Sequence, residues 1–149
     1  MKAKLQNKIY KEFDELFKDR DSSMQETCMC WGLDCGDGWY NILLALCQTI
    51  KNIERNHKGL KVVADQVKEK YGTLSFYYHT TGELVKTDYA GYSNVESLAA
   101  RFDDMVEGAV WMSESLSSVT CEVCGNPGKL NANGWYAVRC KECCKKENS

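Results

Sequence analysis

Long apolar runs are missing from this chain of 149 residues. The longest, Ile42 to Leu46, falls far short of the roughly 20 residues that cross a bilayer, which argues against a transmembrane protein. An excess of one charge is missing as well: 19 Lys and Arg stand against 21 Asp and Glu, a net charge of -2. No overall field therefore draws the molecule onto nucleic acid or an anionic membrane. The basic start, Met1-Lys2-Ala3-Lys4-Leu5-Gln6, lacks the apolar block of a signal peptide, so a soluble, cytoplasmic protein is expected. Histidine is scarce, and neither His57 nor His79 stands at a position diagnostic of thiol–imidazole catalysis. Internal repeats and low-complexity segments are absent. With 44% apolar and 27% charged residues, the chain is too apolar for disorder and suits one compact domain, alone or with a small module.

Cysteine is what the chain has in excess. Its nine cysteines are odd in number and fall into two clusters, with Cys47 alone between them. A secreted disulfide scaffold would be shorter and evenly paired, so metal ligands and buried thiols are the favoured reading.

Periodicity predicts an α+β body of three helices and an antiparallel hairpin. Leu5, Ile9, Phe13 and Leu16 recur at helical spacing over residues 3–19. Residues 24–38 read as an ordered loop, rich in glycine and cysteine. Asp37 is placed to cap a second helix over Trp39 to Asn56, with Ile42, Leu43, Leu46, Cys47 and Ile50 on its buried stripe. From Leu60 to His79 the chain turns to strand around Tyr71-Gly72, with Leu74, Phe76 and Tyr78 on one face and Thr73, Ser75, Tyr77 and His79 on the other. A short edge strand near Leu84 and Val85 would fit the polar connection that follows. Ser93 and Glu96 form a capping box opening a helix from Asn94 to Ser117. Its expected stripe is Val95, Leu98, Phe102, Met105, Val106, Ala109, Met112 and Leu116, with Asp103, Asp104, Glu107 and Glu114 solvated.

The tail differs. Cys121, Cys124, Cys140 and Cys143 make the pattern C-x2-C-x15-C-x2-C, the spacing of a structural zinc site. Each Cys-x-x-Cys turn lets two thiolates converge on one tetrahedral ion, and Gly125 relieves the backbone behind the first knuckle. Asn133-Gly134 is a favoured two-residue hairpin turn between the pairs. The expectation is residues 1–118 as the body and 119–149 as a zinc ribbon or truncated treble clef. Cys144 stands as an alternative fourth ligand. Four thiolates leave no open position for water, so a catalytic zinc is disfavoured. The tail carries Lys129, Arg139, Lys141, Lys145 and Lys146 against Glu122, Glu142 and Glu147, and Trp135 and Tyr136 offer rings, which keeps nucleic acid open as a partner.

The first cluster, Cys28, Cys30 and Cys35, has the spacing C-x-C-x4-C. That spacing matches no common knuckle, so a second zinc there is disfavoured. The turn Gly36-Asp37-Gly38 could offer its amides to an anion, although Asp37 opposes one. Trp31, Trp39 and Tyr40 either rim a pocket or plug the core beneath the loop, and the plug is favoured.

Three blocks together carry a resemblance. They are Cys28-Met-Cys-Trp-Gly followed by Gly36-Asp-Gly-Trp39-Tyr-Asn-Ile-Leu, then Gln66-Val-Lys-Glu-Lys-Tyr-Gly-Thr-Leu-Ser-Phe-Tyr-Tyr78, then Cys121-Glu-x-Cys-Gly-x-Pro-Gly128 with Gly134-Trp135 and the closing cysteines. Across residues 24–144 the chain resembles a group of small uncharacterised proteins of tailed-phage genomes. That resemblance implies an accessory protein of an infected bacterial cytoplasm, acting on a host component. The expected function is non-enzymatic: sequestering or inhibiting a host factor, either a defence protein or a nucleotide signal. The alternative is a nucleic-acid-binding or transcription-associated adaptor. For a nucleotide ligand, Lys68, Lys70 and Arg139 would hold phosphates, and Trp39 or Tyr71 would stack. Composition is silent on oligomeric state.

Overall fold

The computed structural model describes residues 1–85, 95–131 and 136–147. Helix α1 (Ala3–Glu12) leads through irregular turns to strand β1 (Leu33–Asp34) and helix α2 (Tyr40–Asn56). Strands β2 (Leu60–Lys70) and β3 (Thr73–Gly82) form the hairpin, and helix α3 (Val95–Ser117) follows. The tail adds strands β4 (Lys129–Asn131) and β5 (Ala137–Arg139) and helix α4 (Lys141–Glu147). The class is α+β. Four α-helices lie among the described residues, the fourth being the short turn that carries the last cysteines.

The larger sheet has the order β1-β2-β3. β2 and β3 are antiparallel around a two-residue turn, Tyr71-Gly72, whose φ angles of 53° and 84° are both positive, as a type I′ turn requires. β1 joins β2 in parallel, pairing Leu33 with Val67 and Asp34 with Lys68, inside the segment expected to be loop. A bulge between Ala64 and Gln66 resets the alternation, so Leu60, Val62 and Ala64 before it and Val67 after it are all buried on the inner face.

The core lies between the sheet's inner face and the two long helices. Leu43, Leu46, Cys47, Ile50 and Ile53 of α2 recur every three or four residues and are buried. They share one core with Val67, Leu74 and Phe76 of the sheet and Phe102, Val106 and Val110 of α3. Each fully buried aliphatic or aromatic side chain contributes about 1.5–3 kcal/mol to that assembly.

Three expectations change. The first helix stops at Glu12, not residue 19, because Phe13 leaves the helical angles (φ -126°, ψ 46°). That exit buries Phe13, Leu16 and Phe17 together and frees the Leu16 carbonyl to accept the Ala64 N–H of β2 at 2.8 Å. The α3 stripe is rotated: Leu98, Phe102 and Val106 are buried as expected, but Met105, Met112 and Leu116 are exposed and Val110, outside the expected stripe, is buried. In their place the helix buries Ser113 and Ser117. β3 is an edge strand, and α3 covers it with polar groups: Ser117 Oγ accepts from Leu74 N–H at 2.8 Å and Glu114 Oε1 from Phe76 N–H at 3.1 Å. Finally, Leu84 and Val85 pair with no strand; Val85 N–H donates to the Lys58 carbonyl at 2.9 Å. Ser93 of the capping box and the Asn133-Gly134 turn lie outside the described residues.

Candidate metal centre

Residues 120–128 fold back on themselves before β4. Cys121 N–H donates to the Asn126 carbonyl at 2.7 Å, and Gly125 N–H to the Cys121 carbonyl at 2.8 Å. Gly125 has φ 77°, which glycine adopts without penalty, and this closes the knuckle that holds Cys121 and Cys124. The second pair sits at the start of α4, where Cys143 N–H points to Cys140 Sγ at 3.4 Å. The β4–β5 hairpin brings the two pairs together. Their four sulfurs lie within 4.8 Å of one another, and Cys124 and Cys140 are 3.6 Å apart. Metal–sulfur bonds of 2.3 Å in a tetrahedron put sulfurs about 3.8 Å apart, so the cluster fits a metal ion.

Cys144 is outside this group; its N–H bonds the Cys140 carbonyl at 3.0 Å as part of the helix. The local field favours thiolates at two of the four sulfurs, whereas hydrogen bonds to neighbouring thiols raise Cys124 and Cys143. Burial works against a charge on Cys121, but amides of Cys140, Cys124 and Val123 outweigh it and bring the thiol down to about 7. The Cys143 amide likewise lowers Cys140. Among the described residues this is the only metal-binding group of its kind.

The knuckle is seated on the glycine loop that precedes α2. Gly38 N–H donates to the Glu122 carbonyl at 2.7 Å, and Gly36 N–H to Glu122 Oε1 at 2.9 Å. Glu122 Oε2 in turn pairs with Arg139 at 3.0 Å, with both side chains about 15% exposed. The anion at this turn is thus the chain's own Glu122 carboxylate, taken by the Gly36 amide, while the Gly38 amide takes the Glu122 backbone carbonyl. The two glycines have a steric reason: a Cβ on Gly36 would lie 2.2 Å from the Glu122 carbonyl oxygen, and one on Gly38 would lie 2.2 Å from that of Cys121. Asp37 does not cap α2; it accepts from Lys2 N–H at 2.7 Å and pairs with the Lys2 ammonium, which together lower its carboxyl.

Trp39 is fully buried, and its indole N–H donates to the Thr120 carbonyl at 2.9 Å. The ring plugs the joint between loop and knuckle and offers no face to a ligand. Arg139 is held by Glu122 and stands apart from the lysines with which it was grouped. Lys68, Lys70 and Tyr71 do come together. Lys68 lies over the Tyr77 ring at 5.5 Å, and Lys70 over the Tyr71 ring at 5.9 Å. Tyr71 also meets Tyr136 edge-on at 6.4 Å, so the hairpin tip touches the metal module. Trp135 lies outside the described residues.

The remaining thiols do not join this cluster. Cys35 and Cys47 are buried, which pushes Cys35 up to about 12 and Cys47 higher still. Cys30 donates to the Thr27 carbonyl at 3.2 Å, and Cys28 is exposed. Cys28, Cys30 and Cys35 form no metal-binding cluster. His57 is buried, with Nδ1 2.9 Å from the Ile53 carbonyl and its ring against Phe102. His79 is 2.8 Å from Asp65, the bulged residue.

No family model, curated protein or solved structure matches this chain. Its function is therefore argued from the site alone. None of its described helices is long and apolar enough to cross a membrane.

Sequence reasoning missed Glu122 as a functional position, because the loop amide and the Arg139 guanidinium it joins are not marked in its own segment. Tyr136 was legible as a ring open to a ligand, but its contact with Tyr71, distant in sequence, was not.

Proposed function

We propose that this chain is a non-enzymatic binding protein whose four cysteines hold one structural zinc ion in a truncated treble clef. It belongs with the accessory proteins of tailed phages and acts in the host cytoplasm by sequestering or inhibiting a host factor. The observation that carries this reading is the closed, embedded metal site. Four thiolates around one ion fill its tetrahedron and would leave no coordination position for substrate or water. Soft thiolates in this spacing select zinc over harder-ligand metals. The site serves as a clip between the glycine loop and the tail, and the buried thiols Cys35 and Cys47 are raised, opposite to an activated nucleophile.

Native mass spectrometry of the protein, purified from cells without chelator, tests both parts. The expected spectrum carries one zinc per chain and a retained partner or small-molecule mass. A metal-free chain, or a second zinc, would contradict the single clip. A turnover assay showing chemistry lost with the metal would contradict the non-enzymatic reading.

A further inference from the structure

The outward face of the β2–β3 hairpin is half-buried to exposed along its distal half, with residues 24–28 beside Gln66 and Tyr77. Three register pairs share it: Gln66 with Tyr77, Lys68 with Ser75, and Lys70 with Thr73. All are polar or aromatic, and none is among the buried residues, in contrast to Val67, Leu74 and Phe76 on the inner face. Two tyrosines stand on this surface, Tyr77 at 42% exposure and Tyr71 at 72% on the turn. The metal module extends it with Tyr136, 49% exposed and edge-on to Tyr71. The acids bordering it are Asp34, paired with Lys68 on β1, and Glu26 and Asp65 beside Gln66 and Tyr77, all away from the Lys70 end.

We infer that this face binds single-stranded nucleic acid, with Tyr77 and Tyr71 stacking on bases and Lys68 and Lys70 holding phosphates. The inference rests on the binding-protein reading above and names its partner class. The placement of two lysines beside two exposed rings carries it. Exposed rings flanked by lysines on an open sheet are the elements that single-strand binders combine. Each lysine already lies over a ring, 5.5 Å at Tyr77 and 5.9 Å at Tyr71. An exposed cation–π contact of this kind is weaker than base stacking, so a base displaces the ammonium from the ring towards its own phosphate.

Distance selects the ligand. Tyr77 and Thr73 are four residues apart on one strand, about 13 Å at the rise of a β-strand, and Tyr71 lies beyond the turn. A single nucleotide cannot reach both rings, whereas an extended strand of several nucleotides can. The hollow of about 380 Å³ beside Tyr77 carries Glu26 and Asp65 on its walls, so it takes no phosphate and the strand is held from the Lys68 and Lys70 end.

The test is fluorescence anisotropy of the zinc-loaded chain with a labelled twelve-residue oligothymidylate over a range of salt. Binding is expected to weaken with salt, at about 0.7 log units per log unit for each phosphate held. Lys68→Gln with Lys70→Gln should reduce that slope by about 1.4. Tyr77→Thr keeps strand preference, and Tyr71→Asn keeps the left-handed turn angle. Each should weaken binding roughly tenfold at an unchanged thermal midpoint. Absence of oligonucleotide binding, binding indifferent to all four changes, or equal affinity for a mononucleotide would overturn the inference. If native mass spectrometry retains another partner while the oligonucleotide fails, only this inference falls. If nothing is retained and nothing binds, the binding-protein reading falls with it.

Discussion

The indole N–H of Trp39 donates to the Thr120 carbonyl at 2.9 Å, across 81 residues of chain. This bond, with those of Gly36 and Gly38 to Glu122, makes the glycine loop and the cysteine knuckle a single unit. An ion held by the four cysteines would therefore be linked energetically to the body core through this joint of backbone contacts.

The glycines of that joint should tolerate no side chain. Gly38→Ala places a methyl 2.2 Å from the Cys121 carbonyl oxygen, a contact between two pieces of backbone. In urea unfolding it is expected to lose about 3 kcal/mol and to release metal faster to a chelator. Gly108→Ala, in α3 with nothing within 4 Å of its Cβ, should instead gain about 0.5–1 kcal/mol. Equal stability of the two variants would mean that loop and knuckle are apart in solution.

Ser117 is the polar residue on which the sheet edge depends. It is fully buried, accepts from Leu74 N–H and donates to the Glu114 carbonyl at 2.6 Å. Ser117→Ala leaves the Leu74 amide buried without a partner and should cost about 1–3 kcal/mol. Faster hydrogen exchange at Leu74 is the specific signature, and an unaltered exchange rate there would argue against the bond.

The fourth ligand can be checked by stoichiometry. Cys143→Ser is expected to lower zinc content well below one ion per chain, because Cys143 belongs to the sulfur cluster. Cys144→Ser should retain the full ion, since Cys144 lies outside it. The reverse result would exchange the two cysteines' roles.

Alkaline pH should destabilise the protein through its buried thiols. Cys35 is raised to about 12 and Cys47 is raised further, both mainly by burial. A group raised on folding contributes fully below its unfolded value, here about 8.5, and its contribution is lost as pH rises through the window towards the folded value. Unfolding free energy should thus fall between about pH 8.5 and 11, by up to about 1.4 kcal/mol per pH unit for each thiol. Cys47→Ala loses a constant packing contribution, and its stability should decline less steeply over the same range. Parallel pH profiles would show that Cys47 does not titrate as described.

What the sequence determined by itself is local. The two Cys-x-x-Cys pairs carry their own turn geometry, and the four ligands they supply are brought together as their spacing requires. Tyr71-Gly72 places its turn because Gly72 takes a positive φ readily, and the alternation of Leu74, Phe76 and Tyr77 follows from the pleat. The second helix is legible from Leu43, Leu46 and Ile50 for the same reason: its period is contained within the segment.

Only the tertiary structure decided which surfaces meet. Asp37 reads locally as a cap for α2, yet it holds Lys2, and the loop amides beside it take Glu122 from 86 residues away. Met105, Met112 and Leu116 fit a helical stripe in sequence, but α3 turns Ser117 and Glu114 towards the open edge of β3. An unpaired backbone amide costs more than an exposed methionine, and nothing within α3 itself announces that edge. Local periodicity sets the elements, while polar groups that must be satisfied at long range set their rotation and their contacts.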